Sequence, residues 1–167
     1  MKDKISQVVV KVHEYFKSRG LKLSIAESCT GGLLSHYLTS LSGASEFFQA
    51  GIIAYSEEIK KNILGVSPET IKKYGVVSEE TAREMAEKVL ALSKTDYAVS
   101  TTGNLGPDVL EGKDRGLICI AASGMKETIS RELRLRGSRE ENNEAATFEA
   151  LKLLIELLKE EEAGEKR

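Results

Sequence analysis

The chain has 167 residues, 41% of them apolar and 30% charged, which suits one soluble domain with a substantial core. Its 24 basic and 26 acidic residues nearly cancel and are spread along the sequence, so the basic stripe of a nucleic-acid-binding protein is absent. The longest apolar runs, such as Gly51–Ala54 and Leu117–Ala122, are far too short to cross a bilayer.

Several further features point to a protein of the reducing cytoplasm. No signal-peptide pattern is visible at the N-terminus. Cys29 and Cys119 are far apart in sequence and form neither a disulfide framework nor a metal-binding pair. The two histidines, His13 and His36, lie in helical patterns and are interpreted as packing or surface residues. A Ser-His-Asp triad or a His-rich zinc site therefore has little to draw on, and a catalytic base would be another residue.

The first half of the chain predicts helices and strands in alternation. Apolar residues recur at helical spacing after the N-terminus, and Gly20 ends this pattern. The segment Phe47–Tyr55 is too continuously apolar for a solvent-facing edge, so we predict a buried strand. The predicted elements of this half are a helix at 5–16, a strand at Leu21–Ala26, a helix at Leu33–Leu41 and the strand at Phe47–Tyr55.

The second half begins with three serines that predict helix N-caps, Ser56, Ser67 and Ser78. Two later strands are joined by a tight turn and are therefore expected to be antiparallel. The remaining predicted elements are a strand at Asp96–Thr101, an irregular stretch at Thr102–Arg115, strands at Gly116–Ser123 and Thr128–Leu135, a helix at about 140–159, and a charged tail at 160–167 that is expected to fray.

Alternating elements followed by a hairpin favour a single α/β domain, a three-layer α/β/α sandwich with a mixed, mostly parallel sheet of about five strands. One strand is expected to be antiparallel. Ligands bind to such sheets where loops leave the carboxyl ends of strands. The informative loops are therefore Glu27–Gly32, Tyr55–Lys60 and Thr102–Pro107.

The loop Glu27–Gly32 joins a strand to a helix that opens at Gly31-Gly32. Unpaired N–H groups at such a helix start are able to hold a phosphate or an oxyanion. Serine and threonine also cap helices, and a glycine pair also serves simple turns, so both interpretations stay open for this segment. The spacing of a P-loop is absent.

A second candidate is Lys60, about one helical turn beyond Ser56 and close after Tyr55. A lysine beside a serine in a desolvated cleft is able to lose its proton and act as a base. The alternative is that Lys60 and Lys61 form a solvated helix face. Arg139, between the last strand and the last helix, is suited to a two-pronged hydrogen bond with a phosphate.

Taken in order, these segments resemble the CinA C-terminal family, whose stand-alone members are nicotinamide mononucleotide (NMN) deamidases. The resemblance runs from about Gln7 to Leu158, and its most specific part is Ala26-Glu27-Ser28-Cys29-Thr30-Gly31-Gly32. Further matching blocks are Tyr55-Ser56 with Lys60, Gly75-Val76-Val77-Ser78-Glu79, Thr102-Gly103 with Gly106-Pro107, and Gly137-Ser138-Arg139.

The resemblance implies hydrolysis of the NMN carboxamide to nicotinic acid mononucleotide and ammonia, by a homodimer that needs no metal and no cofactor. It implies four catalytic residues. Ser28 attacks the amide carbon and Lys60 takes the proton of Ser28, while Tyr55 or Ser45 relays this proton or orients the reacting groups. Backbone N–H groups from Cys29 to Gly31 are expected to stabilise the oxyanion. The expected substrate-binding residues are Thr30, Gly31, Gly32, Thr102, Gly103 and Arg139.

The chain departs from the family pattern around the expected substrate loop. Asn104-Leu105 replaces Ile-Ala, and Asp108–Gly116 replaces a segment with paired glycines and Lys-Pro-Val-Gly. Ser138 replaces an aspartate, and Asn143 stands where the family often has an arginine. The alternative is therefore a related protein that binds a nucleotide-like ligand without cleaving it.

Overall fold

A central five-stranded sheet organises the computed structural model, which describes every residue from Met1 to Arg167. The strands are β1 (Leu23–Glu27), β2 (Phe48–Ile53), β3 (Tyr97–Gly103), β4 (Leu117–Ser123) and β5 (Thr128–Arg134). Their order is β2-β1-β3-β4-β5. β1 is parallel to β2 and β3, β4 is antiparallel to β3, and β5 is antiparallel to β4. Four strands therefore run in one direction and β4 opposes them, which confirms the predicted mixed sheet.

Helices cover both faces of this sheet. They are α1 (Lys2–Arg19), α2 (Leu33–Thr39), α3 (Glu57–Ile59), α4 (Pro68–Tyr74), α5 (Glu79–Ser93) and α6 (Arg139–Glu165), with a 3-10 helix at Ala44–Glu46 and a π-helical turn at Lys60–Leu64 that continues α3. α1, α2 and α6 pack together on one face, whereas α4 and α5 lie on the other. The predicted three-layer arrangement is confirmed.

The larger part of the core lies under α1, α2 and α6 and is built around a few aromatic rings. Phe16 of α1 meets Tyr97 of β3 edge to face at 5.7 Å, and it also contacts Phe47 at 5.6 Å. His13 donates from Nε2 to the Leu38 carbonyl at 2.8 Å and packs against Phe47. Such aromatic contacts stabilise a core beyond the area that they bury. His13 is thus a packing residue of this core.

The strand predicted at Phe47–Tyr55 is present as β2, but the prediction that it is buried is wrong. β2 lies at an edge of the sheet, its residues alternate between half-buried and exposed, and Ile53 is 51% exposed. The strand pairs only with β1, and its half-buried side chains pack against helices; Ile52 joins the cluster beneath α5. The apolar run therefore reflects contacts with helices rather than a central place in the sheet.

The expected frayed tail is also wrong for residues 160–165, because α6 continues to Glu165. Glu161 is 4% exposed. Its carboxylate accepts a hydrogen bond from the Tyr97 hydroxyl at 2.6 Å and another from the Lys126 N–H at 3.0 Å. Because this buried carboxylate has two hydrogen-bond donors, it anchors the last turns of α6. The charged composition of the segment gave no indication of this contact.

One edge of the sheet gathers the loops that matter for function. The carboxyl ends of β1, β2, β3 and β5 lie there, together with the amino end of β4, because β4 alone runs in the opposite direction. The turn 28–32, the segment 54–60, the loop 104–116 and the start of α6 therefore meet at this edge. Ligand sites of open α/β sheets lie at such an edge.

Candidate active site

Ser28 and Lys60 are in direct contact at this edge of the sheet. Ser28 follows β1 and donates its N–H to the Thr101 carbonyl at 2.9 Å, which fixes its main chain to β3. Lys60 Nζ lies 2.8 Å from Ser28 Oγ, 2.8 Å from the Ala54 carbonyl oxygen and 3.0 Å from the Tyr55 carbonyl oxygen. Ser28 is 6% exposed and Lys60 is 2% exposed, so the pair is shielded from bulk water.

The surroundings of Lys60 destabilise its charged form relative to a lysine in water. Lys60 takes part in none of the ion pairs of the chain. Burial lowers the pKa of its ammonium group to about 8. A neutral amine has two N–H groups and one lone pair, which match the two carbonyl oxygens and the hydroxyl of Ser28. The geometry therefore suits Lys60 to accept the proton of Ser28.

Neighbouring Lys61 shows the contrast. Its side chain lies on the outer face of the same turn and forms an ion pair with Glu57 at 3.1 Å. The solvated-face interpretation holds for Lys61 and is wrong for Lys60. The π-helical geometry of Lys60–Leu64 makes this turn wide, a geometry that frequently marks functional sites.

A cavity of about 510 Å³ opens above Ser28. This volume is within the range of small-molecule sites, roughly 300–1,000 Å³. Arg139 is the one cationic side chain of its wall, and Asp108 is the one anionic side chain. The lining residues are Ser28, Cys29, Tyr55, Gly103, Asn104, Leu105, Gly106, Pro107, Asp108, Leu110 and Arg139.

Tyr55 and Arg139 form one wall of this cavity. Arg139, the first residue of α6, donates to the Gly106 carbonyl at 2.6 Å and to the Tyr55 hydroxyl at 3.2 Å. No carboxylate pairs with Arg139, so its charge is available to an anionic ligand. A buried amide, Asn142, holds the loop opposite by donating to the Leu105 carbonyl at 3.1 Å.

Six of the ten residues expected in the site lie outside the cavity lining. One of them, Lys60, contacts the lining residue Ser28 directly. The others are Thr102, Thr30, Ser45, Gly31 and Gly32. Thr102 is buried on the α5 face of β3 and donates its hydroxyl to the Val76 carbonyl at 2.7 Å. Thr30 is buried too, and its hydroxyl bonds within the protein. Ser45 is exposed in the 3-10 helix before β2. The six residues of β2 separate Ser45 from the cavity edge, a length of roughly 20 Å at 3.3 Å per residue.

The N-terminus of α2 is also occupied, contrary to the expected anion site at Gly31-Gly32. Gly31 donates its N–H to the Ser28 carbonyl at 3.0 Å, and Gly32 donates to the Glu27 carboxylate at 3.2 Å. Both glycines have positive φ, 57° and 103°, as the tight turn requires. Among the amides of the turn, those of Cys29 and Thr30 donate to no group of the chain. They are the ones left for an oxyanion.

Two of the residues that depart from the family pattern form hydrogen bonds that hold the loop 104–116 in place. Glu111 accepts a hydrogen bond from the Val76 N–H at 2.9 Å, and Lys113 donates to the Tyr74 carbonyl at 2.7 Å. These contacts tie the loop 104–116 to the connection between α4 and α5. Sequence reasoning missed them, and it missed Glu27 and Asn142, because single polar residues carry no pattern that identifies a distant partner.

The family model of the CinA C-terminal domain matches residues 5–158. The chain belongs to this family. A competence-damage inducible protein of Caldicellulosiruptor saccharolyticus is 44% identical over 151 residues, covering 90% of this chain and 36% of the relative. The Bacillus subtilis protein of the same name is 40% identical over 146 residues, covering 86% of this chain and 35% of the relative. The chain thus spans about a third of the length of these relatives.

Solved structures of the family share the fold. The competence damage-inducible protein A of Klebsiella pneumoniae superposes with a TM-score of 0.89 at 32% identity, covering 92% of this chain and 96% of that one. A CinA superfamily protein of Escherichia coli gives 0.88 at 28% identity, covering 92% and 90%. In this CinA-family domain no helix is long and apolar enough to span a membrane, and no group of three metal-ligating side chains is present.

Proposed function

We propose that this CinA-family domain is an amidohydrolase that converts NMN to nicotinic acid mononucleotide and ammonia. The observation that supports this most directly is the 2.8 Å contact between Oγ of Ser28, which lines the cavity, and the buried Nζ of Lys60. The choice of NMN follows from the family resemblance, as does a homodimer, whereas a cytoplasmic location is proposed from the N-terminal pattern and the two unpaired cysteines. The cavity volume of about 510 Å³ is suited to a mononucleotide.

The first half of the reaction uses both residues of the pair. Neutral Lys60 takes the hydroxyl proton as Ser28 Oγ attacks the carboxamide carbon. The N–H groups of Cys29 and Thr30 have no acceptor within the chain, so they are available to donate hydrogen bonds to the oxyanion and stabilise it. The C–N bond then breaks, Lys60 returns the proton to the departing nitrogen, and ammonia leaves an acyl ester on Ser28.

The second half restores the enzyme. Lys60 deprotonates a water molecule as its oxygen attacks the ester carbon. The bond to Ser28 Oγ breaks, and Ser28 recovers its proton from Lys60. The products are the nicotinic acid nucleotide and a free Ser28-Lys60 pair, so one water is consumed for each ammonia released.

Replacing Arg139 with glutamine is expected to raise KM for NMN by about 10- to 100-fold with a smaller effect on kcat, since a charge-assisted contact contributes roughly 1.5–3 kcal/mol. Steady-state kinetics of ammonia release measure this. Arg136→Gln is the matched control, because Arg136 lies outside the cavity lining. An equal KM change for nicotinamide riboside, which lacks the phosphate, would contradict the assignment of Arg139 to the phosphate.

The pH dependence of kcat/KM follows from Lys60. Only the neutral amine accepts a proton, and burial lowers its pKa to about 8. The rate is therefore expected to rise as the pH increases through about 8 and to level off above it. A pH profile from 6 to 10 measures this, and a rate that falls between pH 7 and pH 9 would exclude Lys60 as the base.

Incubation of the purified chain with NMN, followed by ammonia measurement, tests the proposed function. Stoichiometric nicotinic acid mononucleotide and ammonia are expected. Saturable NMN binding without ammonia would instead indicate a nucleotide-binding relative that does not cleave its ligand. Calorimetry on the same samples distinguishes the two results.

A further inference from the structure

Glu27, the residue before Ser28, is fully buried at 0% exposure. Its carboxylate accepts five hydrogen bonds from the turn and from the first residues of α2. The donors are the Thr30 hydroxyl at 2.6 Å, the N–H groups of Gly32, Leu34 and Ser35 at 3.2, 2.9 and 3.0 Å, and the Ser35 hydroxyl at 2.7 Å. No basic side chain pairs with this carboxylate, so the N-terminus of α2 balances its charge.

This capping contact differs from an ordinary helix cap. An ordinary cap comes from the residue immediately before the helix. Here that residue is Gly32, which has no side chain, and the acceptor comes from the end of β1 on the far side of the turn. The carboxylate of Glu27 therefore joins strand, turn and helix across the position of Ser28.

Thr30 extends this network to the neighbouring strand. Its hydroxyl donates to Glu27 and lies 2.7 Å from the Thr101 hydroxyl of β3. Ser28 lies within the same network, since its N–H donates to the Thr101 carbonyl and its carbonyl accepts from the Gly31 N–H. Every polar main-chain group of Ser28 is thus fixed, whereas its hydroxyl remains directed at Lys60.

We propose that Glu27, acting with Thr30, is a positioning residue for the Ser28 nucleophile; the inference rests on the proposed function. Glu27→Gln would place an NH₂ group against either the three donors of one carboxylate oxygen or the two donors of the other. The turn would relax, and the N–H groups of α2 would compete for substrate anions with Arg139. A displacement of about 1 Å at a reacting atom is enough to lower a rate by about a hundredfold.

The test measures the reactivity of Ser28 separately from NMN turnover. An alkyl fluorophosphonate reacts with an activated serine by forming an O–P bond and expelling fluoride, and the mass of the Ser28 peptide follows the reaction. Glu27→Gln and Thr30→Val are expected to slow this labelling, and kcat where NMN is turned over, by about 10- to 100-fold, with KM changed less than about threefold. Thr30→Ser, which keeps the hydroxyl, is expected to restore the wild-type rate.

Ser35→Ala is the matched control for stability. It removes a donor from the other oxygen of the same carboxylate, on the α2 side of the turn. Its melting temperature is expected to fall while the labelling rate stays within about twofold of wild type. Equal labelling in the wild type and in Thr30→Val, or an equal loss in Ser35→Ala, would overturn the positioning role. If no ammonia is released from NMN but the labelling of Ser28 is still slower in Thr30→Val, the proposed function is rejected and the positioning role is supported.

Discussion

Lys60→Met is expected to lower kcat for ammonia release by about 10²- to 10⁴-fold, the usual contribution of a general base. Methionine is unbranched and apolar, so it fills the buried space that the lysine stem occupies. The change leaves the Ala54 carbonyl without its Lys60 donor, at a cost of about 1–3 kcal/mol, and leaves the Tyr55 carbonyl with only the long 3.5 Å contact from the Ser28 hydroxyl. It also removes the cost of burying an ammonium group, which the lowered pKa of Lys60 reflects. These effects oppose each other, so the fold is expected to persist.

Lys61→Met is the matched control for this substitution. Lys61 is the next residue, but its side chain pairs with Glu57 and is partly exposed. An exposed ion pair contributes at most about 1 kcal/mol, so neither activity nor stability is expected to change appreciably. Circular dichroism and kinetics on both variants make the comparison. Wild-type kcat in Lys60→Met would exclude the Ser28-Lys60 mechanism.

Deletion of residues 160–167 is expected to lower the free energy of unfolding by about 2–4 kcal/mol, since one buried and one partly buried donor lose their acceptor. The donors are the Tyr97 hydroxyl and the Lys126 N–H, and both contact the Glu161 carboxylate. Tyr97 belongs to the aromatic core and meets Phe16 edge to face, so the loss extends from the end of α6 into the centre of the molecule. Urea unfolding followed by circular dichroism measures the change.

Deletion of residues 163–167 alone supplies the control. It keeps Glu161 and the exposed ion pair between Arg19 and Glu162, and it removes the exposed pair between Lys126 and Glu165. A change of no more than about 1 kcal/mol is expected. If both deletions leave the stability unaltered, the contact between Tyr97 and Glu161 does not anchor α6.

Local patterns in the sequence were sufficient for most elements of the fold. Ser56 and Ser78 cap their helices as predicted, because an N-cap depends only on residues three positions away. The antiparallel pairing of β4 and β5 was predicted from the short turn between them, which is likewise a local feature of the sequence. The place of β2 at the sheet edge did not follow, since strand order depends on partners distant in the chain.

Some residues of the site were also predictable from the sequence, and others were not. Lys60 was a candidate base from its own segment, and the family resemblance paired it with Ser28; the meeting of parallel strand ends explains their proximity. Thr102 was misplaced because a strand alternates its faces, and its hydroxyl lies on the α5 face with that of Ser100. Glu27 was missed because a buried carboxylate with five donors is a property of the folded turn, and its side chain alone suggests only a polar loop.

The departures from the family pattern concern the cavity rim more than the reacting pair. Asn104 and Leu105 line the cavity, and Asp108 adds a carboxylate to the wall that also contains Arg139. Glu111 and Lys113 instead anchor the loop to the segment before α5. None of these residues takes part in the Ser28-Lys60 contact, although the Glu111 carboxylate raises the pKa of Lys60 against the larger effect of burial. The rim is therefore expected to affect KM more than the chemical step.

Ammonia release by Ser28→Ala tests the central claim most directly. Alanine removes one oxygen and leaves the cavity, Lys60 and the turn amides in place. We predict a rate at least about a thousandfold below wild type, with NMN binding and the circular dichroism spectrum retained. Ammonia release at the wild-type rate from Ser28→Ala would contradict the assignment of Ser28 as the nucleophile.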